Sequence, residues 1–246
     1  MKGYKWVLYV GLALATASAF TYLAHYLIFD DPHHIFIYLL GDIAFVPLEV
    51  FLVVIVIERI LSRREKAAML NKLNMVIGTF FSDVGTQLLG QLTECLKNRQ
   101  ELKKALAIGS GWSGKEFKAA LATARSFDYD IDPEQMNLPQ WRERLATKRD
   151  MLLSLLANPN LLEHDSFTNM LWAVFHLLEE LQARDSLDDL PPSDLKHLAG
   201  DVKRVYSQLT VEWLEYCEHL RMSYPYIYSI IVRTHPLQEK PSAVVA

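Results

Sequence analysis

Cysteine is nearly absent from this 246-residue chain, which holds only Cys95 and Cys217. Two thiols in a chain of this length exclude a disulfide-stapled secreted scaffold and favour a reducing compartment. Glycine and proline are also scarce, at 10 residues each, which excludes collagen-like and low-complexity chains. An excess of basic charge is lacking as well, because the formal net charge is −4. We therefore expect no nucleic-acid partner, since such a partner ordinarily meets a basic surface.

Charged residues are missing from one part of the chain in particular. Only seven of them lie in the first 58 residues, and none lies in 6–29. A helix over 6–29 covers about 36 Å, more than the roughly 30 Å hydrocarbon core of a bilayer. A second apolar run occupies 35–57, after a polar turn around Pro32. The pattern predicts a transmembrane hairpin over 1–58, with the lipid bilayer as its partner.

An alternative for the first span is a secretory signal peptide. The first five residues carry two lysines, and residues 17–19 resemble a cleavage site. Against this, the apolar sequence continues through 20–29 without a breaker, about twice the length of a usual signal-peptide core. Both alternatives leave the second span in the membrane, and cleavage of residues 1–19 stays open.

Positive charges at the membrane ends predict the orientation. They precede the first span and follow the second, whereas the connecting turn has no Lys or Arg. Because cytoplasmic loops carry the excess of Lys and Arg, we expect a multi-pass integral membrane protein with both termini cytoplasmic. The segment after the second span is basic enough to contact anionic lipid, although the positive-inside rule also explains it fully. Its basic residues are Arg59, Arg63, Arg64 and Lys66.

Two carboxylates lie within the second span. Asp42 is near the outer end, but Glu49 falls near mid-bilayer, where an ionised acid costs about 2.5 to 3.5 kcal/mol. They are seven residues apart and project from nearly the same face, with the helix-kinking Pro47 between them. A tight hairpin places Thr16 opposite Glu49. It also places His25 within a turn of Asp42, which completes a candidate intramembrane polar site.

These acids fit two hypotheses. In one, Asp42 and Glu49 from several subunits line an ion or proton path. In the other, a protonated Glu49 joins helices as a polar clamp, and Asp42 is an interfacial acid. Small residues at four-residue spacing on the first span predict close helix contact, within the hairpin or between subunits. These helix-packing candidates are Gly11, Ala15 and Ala19, together with Pro47 on the second span.

The rest of the chain has helical periodicity. In residues 59–235, apolar side chains recur at spacings of three and four positions. We therefore expect an all-α fold in which a cytoplasmic helical bundle follows the hairpin. Ser113 and Glu116 predict a capping box, and Ser193 is expected to cap the longest helix. A loop is expected over 127–139. Residues 236–246 are expected to form a disordered tail. The main predicted helices run over about 82–107, 141–157, 166–183, 194–222 and 227–232.

The chemical motifs in this region are weak. Residues 128–132 begin like a calcium loop, but prolines replace the glycine and the closing glutamate that such a loop needs. Residues 109–114 match G-x-G-x-x-G but follow a predicted helix instead of a strand. Residues 176–180 and 215–219 pair histidine with glutamate at helical spacing, yet neither pair is the Glu-x-x-His of di-metal bundles. We therefore expect no enzyme, no cofactor and no metal site.

Two functions follow from this organisation. In the first, the cytoplasmic helical bundle is a membrane-anchored interaction or signalling module, in a homo-oligomer with a cytoplasmic protein partner. In the second, the chain is a small oligomeric cation channel with Asp42 and Glu49 lining the pore. A two-helix hairpin cannot enclose a pore alone, so the channel requires several subunits.

Overall fold

The computed structural model describes residues 2–161 and 164–244, with the side chains of 2–5, 7 and 63–72 outside the description. Within these ranges all regular structure is helical, and the one extended pairing is an isolated bridge between Leu96 and Ile131. The predicted all-α fold class is therefore confirmed. The α-helices are α1 (Lys2–Phe29), α2 (Pro32–Phe80), α3 (Thr86–Thr93), α4 (Arg99–Leu106), α5 (Gly114–Ser126), α6 (Leu138–Thr147), α7 (Arg149–Leu156), α8 (Asp165–Gln182), α9 (Pro192–Ser223) and α10 (Pro225–Thr234).

The chain divides into two compact units, Met1–Lys66 and Ala67–Ala246, and α2 contributes residues to both. In the first unit, Leu8–Phe29 and Pro32–Ser62 are long and apolar enough to cross a membrane. No residue of the most apolar window of either stretch is buried by other parts of the chain. The first unit is therefore compatible with membrane insertion by length, composition and exposure.

The second unit is built around the long helices α8 and α9. α9 contacts α3, α5, α8 and α10. Its Tyr206 and Trp213 are fully buried, and burying such a side chain contributes about 1.5–3 kcal/mol. The Tyr206 hydroxyl shares a hydrogen bond of 2.9 Å with Thr93 Oγ1, which satisfies a polar group that burial would otherwise penalise. The centre of this unit is thus a packed helical core in which the buried hydroxyls of Tyr206 and Thr93 are paired with each other.

The predicted cap is present at the start of one helix and absent at the start of another. At α5, Ser113 Oγ accepts a hydrogen bond from Lys115 N–H, and Glu116 accepts one from Ser113 N–H at 2.8 Å. The predicted capping box is therefore present. The predicted Ser193 cap is wrong, because α9 begins at Pro192 without a side-chain cap. Proline suits a first helical turn, since the N–H it lacks has no partner there.

Two predicted helices are interrupted. The helix expected over 82–107 becomes a π-helical turn followed by α3 and α4. Between α3 and α4, Lys97 N–H donates to the Asp130 carbonyl at 2.9 Å, so a tertiary backbone hydrogen bond replaces a helical one. The helix expected over 141–157 breaks at Lys148, whose φ of −106° and ψ of 4° are not helical. The two resulting short helices, α6 and α7, both pack against α8.

Two other expectations need correction. The loop predicted over 127–139 contains a short 3₁₀ turn, Pro133–Gln135, and the first residues of α6. In the predicted disordered tail, Leu237 is fully buried, and Gln238 donates to the Val232 carbonyl at 2.8 Å. Leu237 is therefore part of the core and holds the start of the tail against it. The mostly polar residues around Leu237 give no sign of this in the sequence. Residues 245–246 lie outside the described ranges.

Candidate functional sites

The predicted intramembrane acids lie on α2. Asp42 and Glu49 are both exposed, and Pro47 lies between them inside a continuous helix. His25 on α1 is half-buried and lines the same cleft as Asp42, with a volume of about 560 Å³. Serine and threonine hydroxyls of α1 also line this cleft. The structure thus brings His25 to Asp42 and leaves Glu49 on an uncovered surface.

Among the described residues, Thr16 does not pair with Glu49, and the small residues of α1 are left open. The Thr16 hydroxyl donates to the carbonyl four residues earlier at 2.8 Å, a common arrangement inside helices. It makes no hydrogen bond to Glu49. A Cβ added to Gly11 would meet no atom within 4 Å, and Ala15 and Ala19 are exposed. Close packing through these small residues therefore stays a prediction for contacts between subunits.

The predicted membrane-surface cations follow on the same helix. Arg59 is exposed and lines an open cleft on α2. The side chains of Arg63, Arg64 and Lys66 lie outside the described residues. Contact of this segment with anionic lipid stays a prediction.

A different group of side chains meets where α8 and α9 pack. His176 and Glu180 lie one turn apart on α8, and His197 and Asp201 lie one turn apart on α9. His176 Nε2 is 3.7 Å from Glu180 Oε1 and 3.7 Å from Asp201 Oδ1. His197 Nε2 is 3.4 Å from Glu180 Oε2 and 3.4 Å from Asp201 Oδ2. We call these four residues the α8–α9 cluster.

Two arginines flank the α8–α9 cluster. Arg184 Nη1 donates to Glu180 Oε2 at 2.9 Å, and this hydrogen bond holds the pKa of Glu180 below its usual range. Arg204 Nη1 donates to Asp201 Oδ1 at 2.9 Å. The Asp201 side chain is only 3% exposed, and its Oδ2 receives no hydrogen bond from any described residue. Burying a carboxylate oxygen without a hydrogen bond costs free energy. A hydrogen-bond donor or a cation at Asp201 Oδ2 would offset this cost.

A second acidic site lies further along α9. Glu212 is 3% exposed and lines an open cleft of about 300 Å³ with Arg125 and Ser166. Burial raises the pKa of Glu212 to about 7, although a hydrogen bond with Ser166 acts in the opposite direction. Single ligand atoms of Glu212, Glu215 and His164 lie within 4.8 Å of one another. Arg125 donates to Glu215 at 2.8 Å, so one acid of this group already has a cationic partner.

The residues of the weaker motifs do not converge. Asp128 and Asp130 form separate ion pairs with different lysines, and Asp132 caps the 3₁₀ turn. These carboxylates therefore do not form a calcium shell. Residues 109–114 connect α4 to α5, so the glycine pattern lies in an interhelical loop. Neither motif contributes a site.

Sequence reasoning missed half of the α8–α9 cluster. It examined His176 and Glu180 as a pair on one helix but did not consider His197 and Asp201. A signal was present, because both helices carry His-x-x-x-acid and i,i+4 residues share a face. Glu212 offered no comparable signal, since its burial results from packing between distant parts of the chain.

These features define an all-α protein with an apolar N-terminal pair of helices and a C-terminal helical domain. Residues 2–61 match the family described as "MJ1433, N-terminal helical domain", and residues 69–233 match "Uncharacterized protein MJ1433, C-terminal helical domain". The chain therefore belongs to the MJ1433 family. It is 41% identical to the uncharacterized protein MJ1433 of Methanocaldococcus jannaschii over 240 residues. The aligned region covers 98% of this chain and 96% of the relative. No solved structure matches the chain.

Proposed function

We propose that this protein is a two-span integral membrane protein whose second unit is a cytoplasmic interaction or signalling module. The observation that carries the proposal is the contrast in burial between the two units. The apolar stretches of the first unit are not buried within the chain, whereas most apolar side chains of α8 and α9 are buried. Exposed apolar surface of this extent is stable in lipid or against other protein, but not in water.

The exposed acids of α2 support a homo-oligomer. An acid within a span should face protein or water, because an ionised carboxylate near mid-bilayer costs about 2.5–3.5 kcal/mol. Glu49 has no hydrogen-bond partner among the described residues of its own chain. The open stripe of Gly11, Ala15 and Ala19 permits close approach of a helix from a second copy. Neighbouring copies would then cover both features.

The surface of the second unit supports a protein partner. An open cleft of about 590 Å³ is lined by Met75, Tyr216, Tyr224 and Ile227, among others. Met75 is 71% exposed, and the nearby Tyr226 is 73% exposed. Exposed methionine and tyrosine side chains are enriched at protein interfaces.

A cation channel is the second candidate, and one observation favours it. The cleft that holds Asp42 and His25 collects a carboxylate, an imidazole and hydroxyl groups within the first unit. Polar groups gathered within membrane spans are typical of ion or proton paths. Several copies of the hairpin would have to surround such a path.

Introduced cysteines test the proposed topology, because both native cysteines are buried. His33→Cys lies in the turn between the spans, and Ser193→Cys lies at the exposed start of α9. In intact bacterial cells, a membrane-impermeant maleimide should label the first variant only. After permeabilisation it should label both, while the parent protein stays unlabelled. Labelling of Ser193→Cys in intact cells, or recovery of the protein in the soluble fraction, contradicts the proposal.

A further inference from the structure

We propose that the α8–α9 cluster binds one divalent first-row transition-metal ion, with Zn²⁺ as the best fit. His176 and Glu180 would supply ligands from α8, and His197 and Asp201 would supply ligands from α9. The site is independent of the membrane function proposed above. A bound metal would add a crosslink between the two central helices of the second unit.

The donor set suits such an ion. Imidazole nitrogen together with carboxylate oxygen is typical of zinc sites, and four protein ligands complete the shell of a structural site. Ligands at about 2.0–2.2 Å from Zn²⁺ in a tetrahedron stand about 3.4 Å apart. The Nε2 atoms of His176 and His197 lie 3.4–3.7 Å from the carboxylate oxygens. Single ligand atoms of His176, Glu180 and Asp201 lie within 4.8 Å of one another, and His197 Nε2 lies 3.4 Å from one oxygen of each carboxylate, so small side-chain movements would bring the four ligands to one ion.

Asp201 gives independent support for a ligand. Its side chain is 97% buried, yet Oδ2 lacks a hydrogen bond from the described residues while it faces His197 Nε2 at 3.4 Å. Its other oxygen, Oδ1, accepts from Arg204. A bound cation would satisfy Oδ2 directly and remove the penalty of leaving it unpaired.

The surrounding charges are compatible with a cation. Arg184 and Arg204 each donate to one oxygen of a cluster carboxylate, so Glu180 Oε1 and Asp201 Oδ2 remain for the ion. Such outer contacts orient metal ligands. Two hydrogen bonds from Arg184 to Asp194 also offset part of the arginine charge. The competing explanation is a charge network in which protonated histidines pair with the acids and no metal is bound.

Calorimetric titration of the full-length protein in detergent separates these explanations. The protein is stripped with a chelator and titrated with Zn²⁺ alone, then with Mg²⁺ alone. We expect saturation near one Zn²⁺ per chain, much weaker binding of Mg²⁺, and a Zn²⁺-dependent rise in the unfolding temperature. His176→Ala and His197→Ala should each weaken Zn²⁺ binding by at least about 100-fold and abolish the thermal shift.

Two matched controls accompany these variants. His33→Ala removes an exposed histidine outside the cluster, and Glu179→Gln removes an exposed acid next to Glu180. Both should bind Zn²⁺ as the parent does. The test rests on the histidines because their side chains are 44% and 53% exposed, so their replacement leaves the core intact.

Three outcomes overturn the proposal. Absence of saturable Zn²⁺ binding by the parent protein shows that the cluster is a charge network. Unchanged Zn²⁺ binding in both histidine variants places the metal elsewhere. Equal affinity for Mg²⁺ and Zn²⁺ shows that the imidazoles are not ligands, because Mg²⁺ prefers oxygen ligands alone.

Discussion

The guanidinium of Arg184 binds the carboxylate of Asp194 through two hydrogen bonds, from Nε to Oδ2 at 2.8 Å and from Nη2 to Oδ1 at 2.6 Å. Arg184 follows the end of α8, and Asp194 lies in the first turn of α9. The hydrogen bonds from Arg184 hold the pKa of Asp194 below its usual range. This pair therefore closes the connection between the two helices that carry the α8–α9 cluster.

Arg184→Lys should destabilise the protein by about 1–2 kcal/mol, because an ammonium cannot make the paired hydrogen bonds of a guanidinium. Arg99→Lys is the matched control, since Arg99 forms an exposed pair with Glu94 and such pairs contribute about 0–1 kcal/mol. Chemical unfolding of both variants in detergent measures the difference. Equal effects of the two changes contradict a special role for the Arg184 pair.

The stabilising effect of the Arg184–Asp194 pair should disappear in acid. The folded-state pKa of Asp194 is lowered, so its contribution is fully present above the unfolded pKa. It is lost as pH falls through the folded pKa. The stability gap between Arg184→Lys and the parent should therefore shrink at low pH, as unfolding curves over a pH series would show.

Glu212 should make stability fall between about pH 5 and pH 7.5. Its folded-state pKa is raised to about 7, above the ordinary value of 4.5, so the folded state binds more protons in this window. Glu212→Gln should remove the loss and exceed the parent in stability by about 1–3 kcal/mol at pH 8. Glu179→Gln, at an exposed acid of α8, is the control, and its stability should keep the pH dependence of the parent. An identical pH dependence of stability for Glu212→Gln and the parent would contradict the raised pKa.

Gly85 and Gly200 should respond oppositely to alanine. A Cβ at Gly85 would lie 2.7 Å from Phe80 Cε1 and 2.6 Å from Phe81 Cδ1, and both rings are fully buried. Gly85→Ala should therefore cost about 1–3 kcal/mol through overpacking. A Cβ at Gly200 meets no atom within 4 Å inside α9, so Gly200→Ala should stabilise by about 0.5–1 kcal/mol. Thermal unfolding measures both, and the same sign for both would contradict the packing described.

Cys95 and Cys217 should resist thiol reagents in the folded protein. Both are buried, and burial raises the pKa of Cys95 to about 11 and that of Cys217 well above its ordinary value. The thiolate is the reactive form, so little of it is present at pH 8. Mass spectrometry should find both thiols unmodified by maleimide until denaturant is added. Rapid modification of the native protein would show that one of these regions opens.

Cation flux separates the two proposed functions. If the chain is a channel, proteoliposomes of the parent should conduct cations, and Glu49→Gln or Asp42→Asn should abolish the flux. If the chain is an anchored module, a folded, homogeneous oligomer should show none. Glu58→Gln, at the end of the predicted second span, is a matched acid control. A strict monomer in detergent excludes a pore at once.

The sequence alone was sufficient for the helical class and for the position of the apolar stretches. The spacing of apolar residues at three and four positions and the absence of charge over 6–29 are both properties of neighbouring residues. Both can therefore be recognised without knowing the tertiary contacts. The capping box at Ser113 is local for the same reason. The breaks at Lys97 and Lys148 were not predictable, because tertiary hydrogen bonding and packing on α8 outweigh helix propensity there.

Only the tertiary structure brought His176 and Glu180 on α8 to His197 and Asp201 on α9. Each pair satisfies a helical spacing that the sequence displays, but the angle and register at which two helices pack depend on all the apolar side chains between them. The burial of Asp201 and Glu212 follows from the same packing. Local pattern thus determined which residues share a helix face, and the packed core decided which faces meet.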